Sequence, residues 1–139
     1  MNYTSYLVLV TFVWAGFMSA ISFMEAWLKF RAPGVTLHVG LSIGRLVFRG
    51  LNKVEWAFAL VALALLLLGN GFGISPAFLL FASILILLLQ TVWLLPAMDK
   101  RAESVMAGVQ VSKSVLHFYY VGAELVKVIL LISLGMQLL

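Results

Sequence analysis

The chain has 139 residues, of which 64% are hydrophobic and only 10% are charged, and its mean hydropathy is +1.14. A soluble domain of this length could not bury that much apolar surface, so the composition excludes a soluble globular protein and indicates an integral membrane protein. The net charge of +4 does not indicate nucleic-acid binding, because the basic residues flank apolar runs and are placed to meet lipid headgroups. The absence of cysteine excludes thiolate metal sites and a thiol redox mechanism.

Four apolar runs are candidates for membrane-spanning helices. Crossing about 30 Å of hydrocarbon takes about 20 helical residues. The runs cover residues 6–28, 55–68, 76–95 and 116–138, and the second can be lengthened by the residues before it. No Lys or Arg precedes the first run, so we expect a retained helix there and not a cleaved signal peptide. The sequence therefore predicts a single domain, residues 1–139, that folds as an all-α integral membrane four-helix bundle.

Basic side chains orient the predicted bundle. Five follow the first apolar run and three precede the last, whereas the connection "GNGFGISPAF" and both termini carry no charged side chain. By the positive-inside rule, the two basic connections face the cytoplasm and both termini face outward. The basic residues in these connections are Lys29, Arg31, Arg45, Arg49, Lys53, Lys100, Arg101 and Lys113.

The first connection, residues 29–53, is too apolar for a free loop. It mixes Leu, Ile and Val with Arg45 and Arg49, so we expect it to lie at the cytoplasmic interface and then to run into the second helix. The alternation over residues 35–43 is equally compatible with an extended conformation. In the third run, Pro96 is expected to kink or end the helix near the inner surface.

The last apolar run carries a row of polar side chains. They are spaced by four, three, four and three residues, which places them on one stripe of a helix. Charged groups that face lipid are costly, so this stripe should face the bundle interior or a wet cavity. Its last residue lies about 21 Å along the helix from its first, near mid-membrane, and Glu124 is the expected partner of Lys127. The stripe comprises Lys113, His117, Tyr120, Glu124 and Lys127.

Each of the other three helices brings an acidic residue towards the same cytoplasmic-side layer, although the chain has only five acidic residues in all. Carboxylates with one imidazole suit iron, manganese or zinc, and four-helix bundles hold di-metal centres with such side chains. No Glu-x-x-His pair is present, so the predicted centre is rich in carboxylates. Tyr120 and Lys127 are the candidate catalytic residues. The predicted metal ligands are Glu25, Glu55, Asp99, His117 and Glu124.

A purely structural interpretation of the same acidic residues is equally open. In this interpretation each carboxylate pairs with a neighbouring Arg or Lys at the inner interface, and simple solvation is a further alternative for Asp99 and Glu103. The expected pairs are Glu25 with Lys29, Glu55 with Arg49, Asp99 with Arg101, and Glu124 with Lys127.

Three short stretches resemble a known family. "GRLVFRGLNKVEW", "WLLPAMDKRAE" and "LHFYYVGAE" look like the corresponding parts of the small four-helix bacterial membrane proteins related to transmembrane protein 205. The resemblance covers most of the chain and implies a four-helix fold in the bacterial inner membrane. The best-known member of that family is associated with resistance to metal drugs, which implies transport.

A second resemblance concerns the start of the second span. Arg49, Asn52 and Glu55 resemble the helix-two signature of the membrane-associated glutathione and eicosanoid enzymes, which have four spans and the same orientation. The spacing from Asn52 to Glu55 matches, whereas Arg49 is one residue too close to Asn52, and the last span lacks the Arg and Tyr set of that family. This resemblance implies a glutathione-dependent membrane transferase.

Three further functional hypotheses follow from the residues. The first is a metal-dependent oxidoreductase that acts on a lipophilic substrate. The second is a small proton-coupled transporter or exporter in which Glu124 and Lys127 exchange protons or bind substrate. The third is a non-enzymatic accessory subunit whose buried charges fix the packing of its helices. The expected partners are the lipid bilayer, a lipophilic small molecule and further copies of the chain, and no nucleic acid is expected.

Overall fold

The computed structural model describes residues 2–110 and 115–139. In this part of the chain every regular element is helical, and four helices are long and apolar enough to cross a membrane. These are α1 (Tyr3–Arg31), α2 (Leu37–Leu68), α3 (Ile74–Met106) and α4 (Leu116–Leu138). The all-α bundle of four membrane-compatible helices is therefore confirmed for the described residues.

Three of the helices extend beyond the apolar runs that predicted them, and the extensions are longest in α2 and α3. Helix α2 begins at Leu37, where the side chain of Thr36 caps it by accepting a hydrogen bond of 3.2 Å from the backbone N–H of Val39. The extended conformation considered for residues 35–43 is therefore wrong from Leu37 onward. Helix α3 continues through Pro96 to its end at Met106, so it does not stop at that proline.

The spanning helices α1 and α3 each contain a π-helical turn, Ala20–Glu25 and Gln90–Leu94 respectively. Such turns insert an extra residue into the helix, redirect the side chains around it and occur frequently at functional sites. In α3 the turn ends two residues before Pro96, whose ring would otherwise disturb a regular α-helical hydrogen bond. Each π-helical turn presents a buried polar side chain to the bundle interior, Ser22 in α1 and Gln90 in α3.

The core of the bundle is formed where α1 packs against α2 and α4 and where α3 packs against α4. Trp14, Leu87 and Leu131 are fully buried there. Helices α1 and α4 approach each other closely at Gly135, which has no Cβ atom. A Cβ atom at this position would lie only 2.8 Å from the ring of Phe12. The outer faces of all four helices remain apolar and exposed, as expected of helices that face hydrocarbon.

Candidate functional site

Three charged side chains are buried together in the bundle interior. The Nζ atom of Lys127 on α4 lies 2.5 Å from Oε2 of Glu55 on α2 and 2.8 Å from Oε1 of Glu124, one turn earlier on α4. None of these side chains is exposed, and we refer to the three residues as the ion triad. The predicted pair of Glu124 with Lys127 is confirmed. The predicted pairing of Glu55 with Arg49 is wrong, because residues six apart on a helix point in different directions.

Neutral side chains from α1 and α3 complete the surroundings of the two carboxylates. Ser22 Oγ donates a hydrogen bond of 2.9 Å to Glu124 Oε2, and Gln90 Nε2 donates one of 2.7 Å to Glu124 Oε1. Trp14 Nε1 donates a hydrogen bond of 2.9 Å to Glu55 Oε2. All four helices therefore contribute to the site, and both π-helical turns supply a donor to Glu124. Donors of this kind are what buried carboxylates require to remain ionised.

The ion triad has more acceptors than donors. Two carboxylates share one ammonium group, so one negative charge is in excess when all three side chains are ionised. Among the described residues, Glu55 Oε1, Gln90 Oε1 and the hydroxyl of Tyr120 are buried without a hydrogen-bond partner. An uncompensated buried charge costs several kcal/mol, roughly, unless a proton or a cation neutralises it. The arrangement is therefore suited to binding one proton.

A second group of charges ties α2 to α3 at the basic end of the bundle, where α1 ends and α2 begins. Arg45 Nε donates to Asp99 Oδ1 over 2.5 Å, and Arg49 binds the other oxygen of the same carboxylate. Arg45 also pairs with Glu103 over 2.6 Å. The predicted site residue Asp99 is thus held by two arginines from α2, which fixes the end of α3 against the start of α2.

A cavity of about 480 Å³ lies at the same basic end, between the end of α1, the first half of α2, the second half of α3 and the start of α4. Its volume falls within the range of about 300–1,000 Å³ that is usual for small-molecule sites. Part of its wall is apolar, as at Phe30, Phe48 and Leu95. The charged and titratable side chains in its wall are Lys29, Arg45, Arg49, Lys53, Asp99 and His117.

Two polar residues of the cavity wall, Asn52 and Thr91, lie close in sequence to residues of the site around the ion triad. Thr91 Oγ1 accepts hydrogen bonds of 2.9 Å from both Asn52 Nδ2 and Trp56 Nε1. Asn52 and Thr91 also line the cavity. Asn52 lies one helical turn before Glu55, and Thr91 directly follows Gln90. The wall of the cavity therefore lies about one turn from Glu55 on α2, and on α3 it lies next to Gln90, which donates a hydrogen bond to Glu124.

The structure separates the five predicted metal ligands. Two belong to the ion triad, and one is held by the arginines of α2. The other two are Glu25, which faces Lys29 at 3.7 Å as expected, and His117, which lines the cavity. Within residues 2–110 and 115–139, no group of three or more His, Cys, Asp or Glu side chains lies together as a metal site requires. A single metal centre formed by the predicted set therefore finds no support.

A metal ion is not favoured between Glu55 and Glu124 because a lysine side chain already occupies the position that the metal ion would take. The ammonium of Lys127 binds both carboxylates of the ion triad. The predicted inward-facing stripe of the last helix is confirmed for Tyr120, Glu124 and Lys127, which are fully buried, and is wrong for His117, which is exposed at the start of the helix. Tyr120 packs edge-on against Phe48 with ring centroids 5.1 Å apart. Lys113, the first residue of the predicted stripe, lies outside the described residues.

Sequence reasoning missed Trp14 as a member of the site. It lies in the middle of an apolar run, where a tryptophan is expected to serve only in packing. Its part in the site depends on the hydrogen bond from its indole N–H to a carboxylate on another helix, which the sequence does not show. One signal was available. Trp14, Met18 and Ser22 are spaced by four residues, which places the indole on the same face of α1 as the polar Ser22.

No family model, no curated protein and no solved structure matches this chain. The resemblances to the proteins related to transmembrane protein 205 and to the glutathione and eicosanoid enzymes therefore stay predictions. The fold and the site define a class: the described residues have the four apolar helices of a multi-pass membrane protein and enclose an ion triad to which every helix contributes a charged or hydrogen-bonding side chain.

Proposed function

We propose that the protein is a small proton-coupled membrane transporter in which the ion triad binds and releases the coupling proton. The observation that carries the proposal is the excess of two buried carboxylates over one buried ammonium group. Ionisable side chains inside membrane spans are costly and commonly mark proton relays or substrate pathways. A cavity that reaches within one turn of the triad supplies the access that a relay needs.

Glu55 is the proton acceptor. Both oxygens of Glu124 already accept hydrogen bonds, from Ser22 and Gln90, which stabilises the ionised form of this carboxylate. Glu55 uses only Oε2, towards Trp14 and Lys127, and its Oε1 has no hydrogen-bond partner among the described residues. A proton on Oε1 leaves one carboxylate and one ammonium, so the loaded triad is neutral.

Loss of that proton changes the net charge of the ion triad, which contacts side chains from all four helices. The unloaded triad holds two carboxylates on one ammonium, and the groups around it are uncharged: Trp14 and Ser22 on α1 and Gln90 on α3. Because the triad and these partners together come from all four helices, proton binding alters the balance of forces across the whole bundle, as a carrier with two conformations requires.

The basic end of the bundle is expected to face the cytoplasm of a bacterial cell, across the inner membrane. The first half of α2 then lies at the cytoplasmic interface, and both termini face outward. The supporting observation is that the connection between α2 and α3, near Asn70, carries no charged side chain, whereas the basic side chains gather at the opposite end of these helices.

Cysteine labelling tests this orientation. The chain contains no cysteine, so Ser104→Cys and Asn70→Cys each introduce a single thiol. A membrane-impermeant maleimide added to intact cells is expected to label the cysteine at position 70 and not the one at position 104, and permeabilised cells are expected to show both. Labelling of the Ser104→Cys variant from outside intact cells would contradict the orientation.

Proton movement in proteoliposomes tests the proposed function. Vesicles loaded with the pH-sensitive dye pyranine are challenged with decyl sulfonate, decyl phosphate and decyltrimethylammonium, each added outside. At least one of these amphiphiles is expected to change the internal pH only when the protein is present, because its passage moves a proton through Glu55. Glu55→Gln is expected to lower that rate to the rate of protein-free vesicles.

Glu103→Gln is the matched control, since it removes a carboxyl group whose side chain is 61% exposed and lies at the basic end, away from the ion triad. It is expected to retain proton movement. The proposed function is wrong if none of the three amphiphiles produces protein-dependent proton movement, or if Glu55→Gln moves protons as fast as the unmodified protein.

A further inference from the structure

We infer that the cavity at the basic end binds an amphiphilic anion, with a carboxylate, sulfonate or phosphate group attached to an apolar body. The inference deepens the proposed function and rests on it only for the statement that this anion is the transported substrate. Occupation of the cavity by such an anion depends only on the residues of the cavity wall.

The first observation is the state of Lys29. Its side chain is only 9% exposed, and its nearest carboxylate, Glu25, is 3.7 Å away, which is longer than a good charge-assisted hydrogen bond. Its Nζ atom lies 5.4 Å and 5.5 Å from the ring centroids of Phe30 and Phe48. The aromatic faces compensate the ammonium in part, and an anionic group in the cavity would supply the close partner that a buried cation favours.

The second observation is the balance of charge around the cavity. Four cationic side chains line it against a single carboxylate, that of Asp99, which Arg45 and Arg49 share. Among the described residues, Lys53 is exposed and forms no ion pair or hydrogen bond. Even when the carboxylates of Glu25 and Glu103, which pair with Lys29 and Arg45, are included, one positive charge is uncompensated. The wall therefore favours an anion over a cation or a neutral molecule.

The third observation is that most of the remaining wall is apolar and that two glycines of α2 determine its shape. Phe30, Phe48 and Leu95 form part of this apolar lining. A Cβ atom at Gly40 would clash with the ring of Phe30, and one at Gly44 would lie 3.1 Å from Lys29 Nζ. These two glycines let Phe30 and Lys29 lie directly against α2, so that an apolar surface and a cation face the same space.

The position of the cavity relative to the ion triad gives the direction of coupling. Asn52 in the cavity wall lies about one helical turn from Glu55 of the ion triad on α2. An anion in the cavity is repelled by the excess negative charge of an unloaded triad and not by a neutral, protonated one. The bound anion and the proton on Glu55 therefore favour each other, which is the relation expected when both move in the same direction.

Equilibrium binding of the fluorescent fatty-acid anion cis-parinarate, with the protein in maltoside micelles and no ion gradient, tests the inference. The unmodified protein is expected to bind the probe, and Lys53→Glu to bind it roughly tenfold more weakly because a charge in the wall is reversed. Since Lys53 is exposed and forms no ion pair among the described residues, the change leaves the fold intact. Lys29→Gln is a second variant and is also expected to weaken binding.

The matched control is Lys100→Glu, which reverses a basic charge on an exposed residue of α3 that does not line the cavity. It is expected to leave parinarate binding unchanged. The inference is overturned if parinarate does not bind, if Lys53→Glu binds it as tightly as the unmodified protein, or if Lys100→Glu weakens binding as much as Lys53→Glu does.

Displacement of the probe distinguishes two sources of the same chemistry. Displacement by laurate identifies a free amphiphile, and displacement by dihexanoyl phosphatidylglycerol identifies an anionic membrane lipid, and either result supports the inference. Equal displacement by decyltrimethylammonium overturns it. This binding experiment does not depend on proton movement. Binding of the probe without proton movement in vesicles contradicts only the proposed function. Proton movement driven only by the cationic amphiphile contradicts only the inference that the cavity binds an anion.

Discussion

Replacing Lys127 with methionine is expected to lower the free energy of unfolding by about 3–5 kcal/mol, which is the usual cost of removing one partner from a buried ion pair. The change leaves Glu55 and Glu124 as two buried carboxylates without their shared cation. Replacing either carboxylate is expected to cost far less, because Glu55→Gln or Glu124→Gln leaves one carboxylate paired with one ammonium group. Lys127 is therefore the most sensitive position of the site.

Unfolding of the purified protein in mixed micelles, titrated with dodecyl sulfate, measures these differences. A triple variant that combines Glu55→Gln, Glu124→Gln and Lys127→Met is expected to regain most of the lost stability, since no unpaired charge remains. The exposed Lys100→Met is the control and is expected to stay within about 0.5 kcal/mol of the unmodified protein. A Lys127→Met variant as stable as this control would show that the ion triad does not hold the bundle together.

The sequence was sufficient to predict the helices and one face of α4. Apolar runs of membrane-spanning length predicted four helices, and the cost of charges that face lipid predicted a buried stripe on the last helix. Of that stripe, Tyr120, Glu124 and Lys127 are buried, whereas His117 is exposed. The pair of Glu124 with Lys127 also followed from the sequence, since both residues lie on one helix and their separation is fixed by its geometry.

The partners on other helices could not be predicted in the same way. The pairing of Lys127 with Glu55 depends on how far α2 is displaced along α4 and how it is rotated, and neither quantity is fixed by spacing within one helix. The π-helical turns add to the difficulty, because each shifts the direction of the side chains around it. Ser22 and Gln90 reach Glu124 from these turns.

The same limitation explains the predicted metal ligands. Acidic residues on four helices were assigned to one layer by their depth, but depth does not determine the direction in which a side chain points. Asp99 pairs with the arginines of α2, whereas Glu55 pairs with Lys127. Glu25 pairs with Lys29, one turn along its own helix. Acidic residues at a similar depth therefore belong to three separate charge groups.

A proton on Glu55 is expected only while the ion triad holds two carboxylates. Glu55→Gln removes the proton acceptor itself. Glu124→Gln removes the excess negative charge, so that Glu55 remains ionised as the only carboxylate partner of Lys127 within the triad. Both substitutions are therefore expected to abolish the bound proton completely, by different routes, and neither removes the ammonium group.

Infrared spectroscopy of the carboxyl C=O stretch, recorded in light and heavy water, detects this proton. The purified, unmodified protein is expected to show the absorbance of a protonated buried carboxyl group that shifts in heavy water and disappears as the pH is raised. Glu103→Gln is expected to keep this absorbance, and Glu55→Gln and Glu124→Gln are expected to lack it. Its absence from the unmodified protein at every pH, or its persistence in Glu55→Gln, would contradict a proton-binding ion triad.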